Sequence, residues 1–204
     1  MSIENLTRVV PPPDRPGDPF LGSWRDIEAK LGTALPRDYK AFVRMYGRGQ
    51  FMEYVWIWTP GAWDHHDRLE SMAPTVLRLL KEDEDFPFPV WPEAGGLLPF
   101  GSTLDGDYLA WVTHGAPDDW TVTVLDRGMG YQEAHANACG MTDLLAGMAT
   151  GEIGAPAFHP AILECEHLFS PNPRGPAPIV EMSWWLGPFG AAGSGTSVSR
   201  LGRS

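Results

Sequence analysis

The chain opens its regular structure with an apolar stripe at helical spacing. Trp24, Ile27 and Leu31 recur at intervals that place them on one face of an α-helix. Ser23 can cap the first turn of this helix through its hydroxyl, and Gly32 stands where a C-terminal glycine commonly ends one. The pattern therefore predicts a short amphipathic helix directly before residue 32.

A second amphipathic helix follows at once. Pro36 suits a first helical position, because its missing N–H would have no helical partner there. Gly47 marks the expected end of the helix. Its apolar stripe, at i, i+3, i+4 and i+7, comprises Tyr39, Phe42, Val43 and Tyr46.

Strand patterns dominate the middle of the chain. Residues 50–59 are dense in aromatic and β-branched side chains, which predicts one strand or two short strands with a bend. A short strand is predicted at 97–100, and a clear pair at 108–113 and 120–125. Asp105-Gly106 is a strong turn signal between the strand at 97–100 and the strand at 108–113. Strands joined by such short turns favour an antiparallel sheet.

Two further helices complete the pattern. Apolar residues between Leu69 and Leu80 predict one helix, which Pro74 should either kink or begin. Thr142 is predicted to cap a last helix that carries Leu144 and Leu145. The order of elements predicts an α+β fold, an antiparallel sheet with helices packed mainly on one side.

The composition divides the chain into three parts. Residues 1–22 form a Pro-rich N-terminal arm, which is expected to be extended where prolines concentrate. Residues 23–170 are predicted to form the α+β domain. Residues 171–204 form a Pro/Gly/Ser-rich tail that is expected to be partly disordered. Within the tail, residues 179–186 are apolar enough to dock as a strand or latch.

The charge of the chain restricts its partners. The 204 residues carry a formal net charge of -11, which repels nucleic-acid phosphates and anionic membranes and favours basic partners. The first ten residues lack the apolar run of a signal peptide, and no apolar stretch is long enough to cross a bilayer. A cytoplasmic protein is expected. Cys139 and Cys165 form no disulfide framework and receive no assigned role.

Motifs of catalysis are absent from the sequence. Neither a phosphate-binding glycine loop nor a nucleophile elbow occurs. A loop at 64–67 carries His65 and His66, but adjacent histidines usually point in different directions. A second group, Cys165 and His167, would face one ligand only if the segment were a strand. We therefore expect no catalytic residue, no metal site and no cofactor.

Acidic residues concentrate in the predicted loops. Loops at one end of a sheet could join them into one negative face that attracts a basic ligand, although scattered surface charge is the simpler interpretation. The nine tryptophans are expected mainly in the core, with one or two as surface anchors. The acidic residues in question are Glu82, Asp83, Glu84, Asp85, Asp105, Asp107, Asp118 and Asp119.

Two motifs resemble those of one protein family. A Trp helix leads into a Leu-Pro-x-x-Tyr-x-x-Phe helix and a Tyr-Gly-x-Gly turn, formed here by Trp24, Leu35, Pro36, Tyr39, Phe42, Tyr46, Gly47 and Gly49. A phenylalanine-glycine pair, an acidic-glycine turn and a strand with Trp follow, formed by Phe100, Gly101, Asp105, Gly106 and Trp111. This order resembles the SUKH superfamily, which includes bacterial immunity proteins and a fungal regulator of cell-wall assembly. The resemblance extends from about residue 24 to residue 151.

The resemblance implies binding of a protein rather than catalysis. In many relatives the partner is a secreted toxin, so the leading interpretation is an immunity protein that masks a cognate, basic toxin such as a nuclease. A regulatory scaffold for a cellular protein is the alternative, and a metal-dependent hydrolase using His65 and His66 is a third. The motif residues have structural tasks. The residues expected to contact a partner are Trp58, Trp63, Asp105, Asp107, Asp118 and Trp120.

Overall fold

The strands of the chain form one antiparallel sheet, and helices cover it. The computed structural model describes residues 3–154, 156, 158 and 160–172. Within these residues the chain forms five α-helices and a seven-stranded sheet in which all pairs are antiparallel. The predicted α+β class is therefore confirmed.

The helices are short except for the fourth. None within the described residues is long and apolar enough to span a bilayer. Their bounds are α1 Ile3–Val9, α2 Trp24–Leu31, α3 Arg37–Met45, α4 Leu69–Glu82 and α5 Met141–Thr150.

Six of the strands follow one another across the sheet, and the seventh returns to its far edge. The spatial order is β6-β5-β4-β3-β2-β1-β7. The bounds are β1 Gly49–Phe51, β2 Val55–Ile57, β3 Leu97–Thr103, β4 Tyr108–Val112, β5 Thr121–Leu125, β6 Ala134–Asn137 and β7 Phe169–Pro171.

The first predicted helix has the bounds that its capping residues, Ser23 and Gly32, indicate. The Ser23 hydroxyl accepts a hydrogen bond from the Asp26 N–H at 3.4 Å, and Gly32 ends the helix in the left-handed region at φ 74°. The next helix starts one residue later than predicted, because Pro36 caps α3 with extended backbone instead of taking the first helical position.

Tyr39 joins the helical layer to the sheet. Its side chain is buried, and its hydroxyl donates to the Trp58 carbonyl at 2.6 Å. Its ring meets the Trp111 ring edge-on at a centroid distance of 5.2 Å, and Phe100 stacks on Trp111 at 4.3 Å. Burial raises the pKa of Tyr39 well above 10, so the hydroxyl stays a donor at all ordinary pH. The motif tyrosine is thus a structural residue.

A buried carboxylate joins α3 to α5. Asp38 accepts from the Tyr39 N–H at 2.7 Å through one oxygen, and through the other from the Thr142 N–H and hydroxyl, both at 3.2 Å. The prediction that Thr142 caps α5 is wrong. Gly140 occupies the cap position, and Thr142 lies in the first helical turn with its hydroxyl turned inward to Asp38.

The N-terminal segment packs on the domain instead of extending away as an arm. Residues 3–9 form α1, which packs against α5, and Leu6 is fully buried. The Tyr46 hydroxyl donates to the Val10 carbonyl at 2.5 Å, and Gly17 bridges to Gly47. The helical spacing of apolar residues 3, 6, 9 and 10 was the signal for this helix, and the prolines that follow obscured it.

The predicted strands differ from the observed ones in two places. Residues 50–59 form two short strands, because Met52 and Glu53 adopt positive φ angles of 51° and 55° and reverse the chain. Strand β6 was not predicted, since its sequence, Ala-His-Ala-Asn, lacks β-branched residues. Its place in the sheet depends on pairing with β5 rather than on local preference.

Pro74 lies inside a helix and not at its start. Helix α4 begins at Leu69 and continues through Pro74, so the alternative that the proline begins the helix is wrong. The apolar segment 179–186 lies outside the described residues, as does all of the predicted tail after Asn172.

The buried position of α1 leads to a stability prediction. Leu6→Ala should lower the free energy of unfolding by about 2–5 kcal/mol, because it removes buried methyl groups and leaves a cavity. Arg8→Ala, on the exposed side of the same helix, should change it by less than about 0.5 kcal/mol. Urea unfolding followed by tryptophan fluorescence measures both. Equal, negligible effects would show that the segment does not pack in solution.

Candidate partner-binding surface

In the described part of the chain, three hairpin turns meet at one end of the sheet. They connect β1 to β2 at residues 52–54, β3 to β4 at 104–107, and β5 to β6 at 126–133. The register fixes this arrangement, since Val55 pairs with Thr103 and Tyr108 pairs with Leu125. We call these three turns the hairpin-turn end.

Asp107 holds two of these turns together. Its carboxylate accepts from the Thr103 hydroxyl at 2.7 Å and from the Arg127 N–H at 3.0 Å. Its own N–H donates back to the Thr103 hydroxyl at 3.0 Å. The side chain is only 3% exposed, so the prediction that Asp107 contacts a partner is wrong. A buried carboxylate requires hydrogen-bond donors, and those of Asp107 come from both turns. Asp107 therefore fixes the shape of the surface from beneath it.

Further hydrogen bonds make the hairpin-turn end rigid. The Arg127 guanidinium donates to the Asp105 carbonyl at 3.2 Å, and the Tyr131 hydroxyl donates to the Gly106 carbonyl at 3.1 Å. The Tyr54 hydroxyl donates to an Asp105 carboxylate oxygen at 2.7 Å. Burial and this carboxylate raise the pKa of Tyr54 well above 10. Turns fixed in this way lose little conformational entropy when a partner binds.

The exposed side chains of this end are acidic and apolar. Leu104 is 47% exposed and Met129 is 51% exposed, which is high for large apolar residues. Arg127 contributes a positive charge. The exposed carboxylates at or beside the turns are Glu53, Asp105, Glu133 and Glu164. Apolar residues within a charged surface are typical of protein-binding sites.

A cleft of about 320 Å³ opens between the first two turns and the segment at 162–165. A second concavity beside it, of about 490 Å³, lies between Asp105 and Gly128. The cleft is lined by Met52, Glu53, Tyr54, Leu104, Asp105, Ile162, Glu164 and Cys165. Both concavities share Asp105, which makes that residue the centre of the surface.

Comparison with known families agrees with this architecture. The model of the SMI1-KNR4 cell-wall family, SUKH_6, matches residues 22–138, more than half of the chain. The chain belongs to this family. Comparisons with curated proteins and with solved structures gave no match. The resemblance to the SUKH superfamily is confirmed, and SUKH domains are protein-interaction modules.

Two tryptophans expected at the SUKH domain's surface lie in its core. Trp58 is 1% exposed and Trp120 is 3% exposed. The Trp58 ring lies 6.2 Å from that of Tyr108, and the Trp120 ring lies 6.0 Å from that of Trp111, between centroids. The prediction that they contact a partner is wrong, because both side chains are buried and pack between secondary-structure elements.

Asp118 lies at the opposite end of the sheet from Asp105. The five-residue strands β4 and β5 separate the two ends by ~17 Å, so the SUKH domain does not gather its acidic loops into one face. Asp118 accepts from the Arg37 N–H at 2.8 Å and from its guanidinium at 2.6 Å. It therefore caps α3, and both of its carboxylate oxygens already accept hydrogen bonds from Arg37.

Trp63 is exposed, as expected, but it is also remote from the hairpin-turn end. It lies in the loop after β2, where its backbone N–H donates to an Asp18 carboxylate oxygen at 2.6 Å. Its side chain is 47% exposed, and Leu21 in the neighbouring segment is more exposed still. Of the six residues expected to contact a partner, Asp105 is the one on the surface of the hairpin-turn end.

The histidine loop of the SUKH domain is more compact than predicted. The rings of His65 and His66 lie 3.8 Å apart, so they do not point in different directions. Potential ligand atoms of Asp64 and both histidines lie within 4.8 Å of one another. The Arg48 guanidinium lies 3.7 Å from the Asp64 carboxylate, however, and its positive charge opposes a metal ion there. The geometry alone therefore assigns no metal chemistry.

The two cysteines have separate surroundings. Cys165 lines the cleft, and it forms no ligand group with His167 in the described residues. Burial, followed by the charges of Asp143 and Asp38, raises the pKa of Cys139. Burial and the Glu53 charge raise the pKa of Cys165. A raised pKa favours the protonated thiol, which is the less nucleophilic form.

Sequence patterns missed most residues of the cleft. Met52 and Glu53 form a tight turn without the glycine or asparagine that normally marks one. Leu104 stands next to the Asp-Gly turn signal, which could have identified it as an exposed apolar residue. Ile162 and Glu164 come from a part of the chain with no strand or helix signal, in a 3-10 helix at Pro160–Glu164.

The contacts of Asp107 give a second stability prediction. Asp107→Ala should lower the free energy of unfolding by about 1–3 kcal/mol, because it leaves the Arg127 N–H and the Thr103 hydroxyl without their partner. Amide hydrogen exchange should also speed up in both turns. Asp85→Ala, in an exposed loop, is the matched control and should change neither quantity. Unchanged exchange in Asp107→Ala would contradict the assigned role.

Asp118 gives a prediction of pH dependence. The Arg37 N–H and then its guanidinium lower the pKa of this carboxyl against the effect of burial. A lowered folded-state pKa contributes stability above the unfolded pKa of about 3.9, and this contribution disappears as the pH falls through the folded-state value. Asp118→Asn should therefore lower the Tm at pH 7 and leave it unchanged near pH 2. A constant difference at both pH values would refute the capping role.

Proposed function

We propose that this SUKH domain is a non-enzymatic immunity protein that uses its hairpin-turn end to bind and mask a basic toxin. The observation that carries the proposal is the rigid, acidic and partly apolar surface centred on Asp105. The family supports protein binding in general. The toxin, its basic character and the masking mechanism are our inference from charge and shape.

Electrostatics favours a basic partner at this surface. The whole chain carries a net charge of -11, so a basic protein is attracted at long range and an acidic one is repelled. Exposed carboxylates at the hairpin-turn end then give the encounter a preferred orientation. The active sites of nucleases are basic because they hold phosphates, and a surface of this kind can cover one.

The polar groups of this end are arranged for binding rather than for catalysis. Asp107 forms hydrogen bonds with two turns, and the Tyr54 hydroxyl donates its hydrogen bond to Asp105. A general acid or base needs a free proton-transfer atom with a pKa near the working pH. A fixed donor and acceptor set instead gives a surface of constant shape, which suits steric masking.

A regulatory scaffold that binds a cellular protein is the second candidate. The match to the SMI1-KNR4 cell-wall family favours it, because that family description refers to the cell wall and not to a toxin. The same surface would serve both functions. The gene beside this one distinguishes them, since an immunity protein is expected next to a toxin gene.

Coexpression tests the immunity proposal directly. Cells that express the toxin encoded beside this gene should survive when they also express this chain, and the two proteins should copurify. Growth and gel filtration measure the two effects. Death of the cells together with the absence of a complex would refute the proposal.

The position of the surface gives a prediction with a matched control. Leu104→Arg should weaken binding of the toxin by at least tenfold, because it places a positive charge on the surface that meets a basic partner. Leu79→Arg is the control, since Leu79 is also 47% exposed but lies on α4. Its affinity should match that of the unmodified protein in isothermal titration calorimetry. Equal effects of both variants would contradict the location of the surface.

A further inference from the structure

The cleft at the hairpin-turn end combines an apolar interior with a charged rim. Met52 and Ile162 form apolar walls, and Leu104 lies at the opening. The cleft is formed by the β1–β2 turn, the β3–β4 turn and the segment after α5. Its volume of about 320 Å³ is enough for one long side chain but small for a whole helix or strand.

The rim carries carboxylates and no cation among the lining residues that the structure describes. Glu53, Asp105 and Glu164 come from three different segments of the chain, so their convergence is a product of the fold. Asp105 is fixed by the Tyr54 hydroxyl at 2.7 Å, which leaves its other oxygen free of this bond. A cationic group entering the cleft would meet these carboxylates without displacing a cation of the protein.

Strained backbone helps to hold the first wall. Met52 and Glu53 both have positive φ angles, a conformation that costs energy for residues other than glycine. The Met52 N–H donates to the Leu168 carbonyl at 2.8 Å, and Gln50 donates to the Glu53 carbonyl at 2.6 Å. These bonds keep the turn in position, so the cleft exists before any partner binds.

Two groups inside the cleft respond to its negative field. The pKa of the Tyr54 hydroxyl is raised by burial and then by Asp105, and the pKa of the Cys165 thiol is raised by burial and then by Glu53. Burial, the larger cause, disfavours a charge of either sign. The smaller contribution of the carboxylates disfavours a negative charge and favours a positive one, which agrees with the geometry of the rim.

We propose that this cleft binds one arginine or lysine side chain of the partner protein as its central anchor. The aliphatic stem would pack against Met52, Leu104 and Ile162, and the cationic head would meet Glu53, Asp105 and Glu164. Long basic side chains are suited to this, because their stems are apolar and their charge lies at the tip. The assignment deepens the proposed function and rests on it for the identity of the partner.

Titration of the intact chain with small probes tests the cleft without the partner. The probes are the N-acetyl methylamides of arginine, lysine and norleucine, and two-dimensional NMR follows the amides of Glu53, Leu104 and Cys165. Arginine or lysine should give saturable shifts at these positions, and norleucine, which has the stem without the charge, should bind at least tenfold more weakly. The stronger of the two basic probes identifies the head group that fits.

Charge-neutral variants of the rim complete this test. Asp105→Asn and Glu164→Gln should each weaken the basic probe about threefold to tenfold, since the shape is kept and one charge is lost. Asp85→Asn, an exposed acid outside the cleft, should have no effect. Equal binding of norleucine, or shifts confined to other parts of the chain, would overturn the anchor site.

The toxin assay separates this inference from the proposed function. If the chain protects cells and both rim variants protect equally well, the anchor assignment is wrong and the immunity function stands. If the basic probe binds in the cleft but no toxin is neutralised, the anchor site stands and the immunity function is wrong. Loss of protection in the rim variants, with an unchanged Tm, supports both.

Discussion

The hydrogen bond from Tyr39 to the Trp58 carbonyl joins the two layers on which the rest of the fold depends. It places a polar contact of 2.6 Å beside aromatic rings of the core, including that of Trp111. A buried carbonyl that lost this donor would remain unsatisfied, so the contact fixes the position of α3 relative to the sheet. Asp38, one residue earlier, fixes α5 to the same helix. Two neighbouring side chains thus fix the positions of α3 and α5.

A sheet held in this way places its turns at defined positions. Because every pair of neighbouring strands is antiparallel, the connections alternate between the two ends, and the tight hairpins share one of them. Asp107 then converts two separate turns into one rigid surface. At the opposite end the connection from β2 to β3 is far longer and contains α4, and the Asp118 carboxylate there caps α3. The two ends are therefore chemically different, and the hairpin-turn end keeps Glu53, Asp105 and Glu133 exposed.

The sequence predicted local structure well where the signal was local. The cap at Ser23, the stop at Gly32 and the Asp105-Gly106 turn each depend on residues within a few positions, and each appears in the structure. The prediction of which residues lie on the partner-binding surface was poorer, because burial of a side chain depends on contacts with residues distant in sequence. Trp56 and Trp58 stand in the same alternating pattern, yet Trp56 is partly exposed and Trp58 is buried, with its carbonyl accepting from the Tyr39 hydroxyl of another layer. Spacing alone could not show that the acidic loops lie at different ends.

The walls of the cleft come from two parts of the chain that differ in their match to the family model. Its first two walls, with Met52 and Leu104, lie within residues 22–138, the part of the chain that matches the family. Its third wall, with Ile162 and Glu164, lies beyond that part. The matched part of the chain therefore supplies the β1–β2 turn and Asp105, whereas a segment outside the family match completes the concavity. Under the proposed function, a partner that enters the cleft would contact this segment as well as the part that matches the family model.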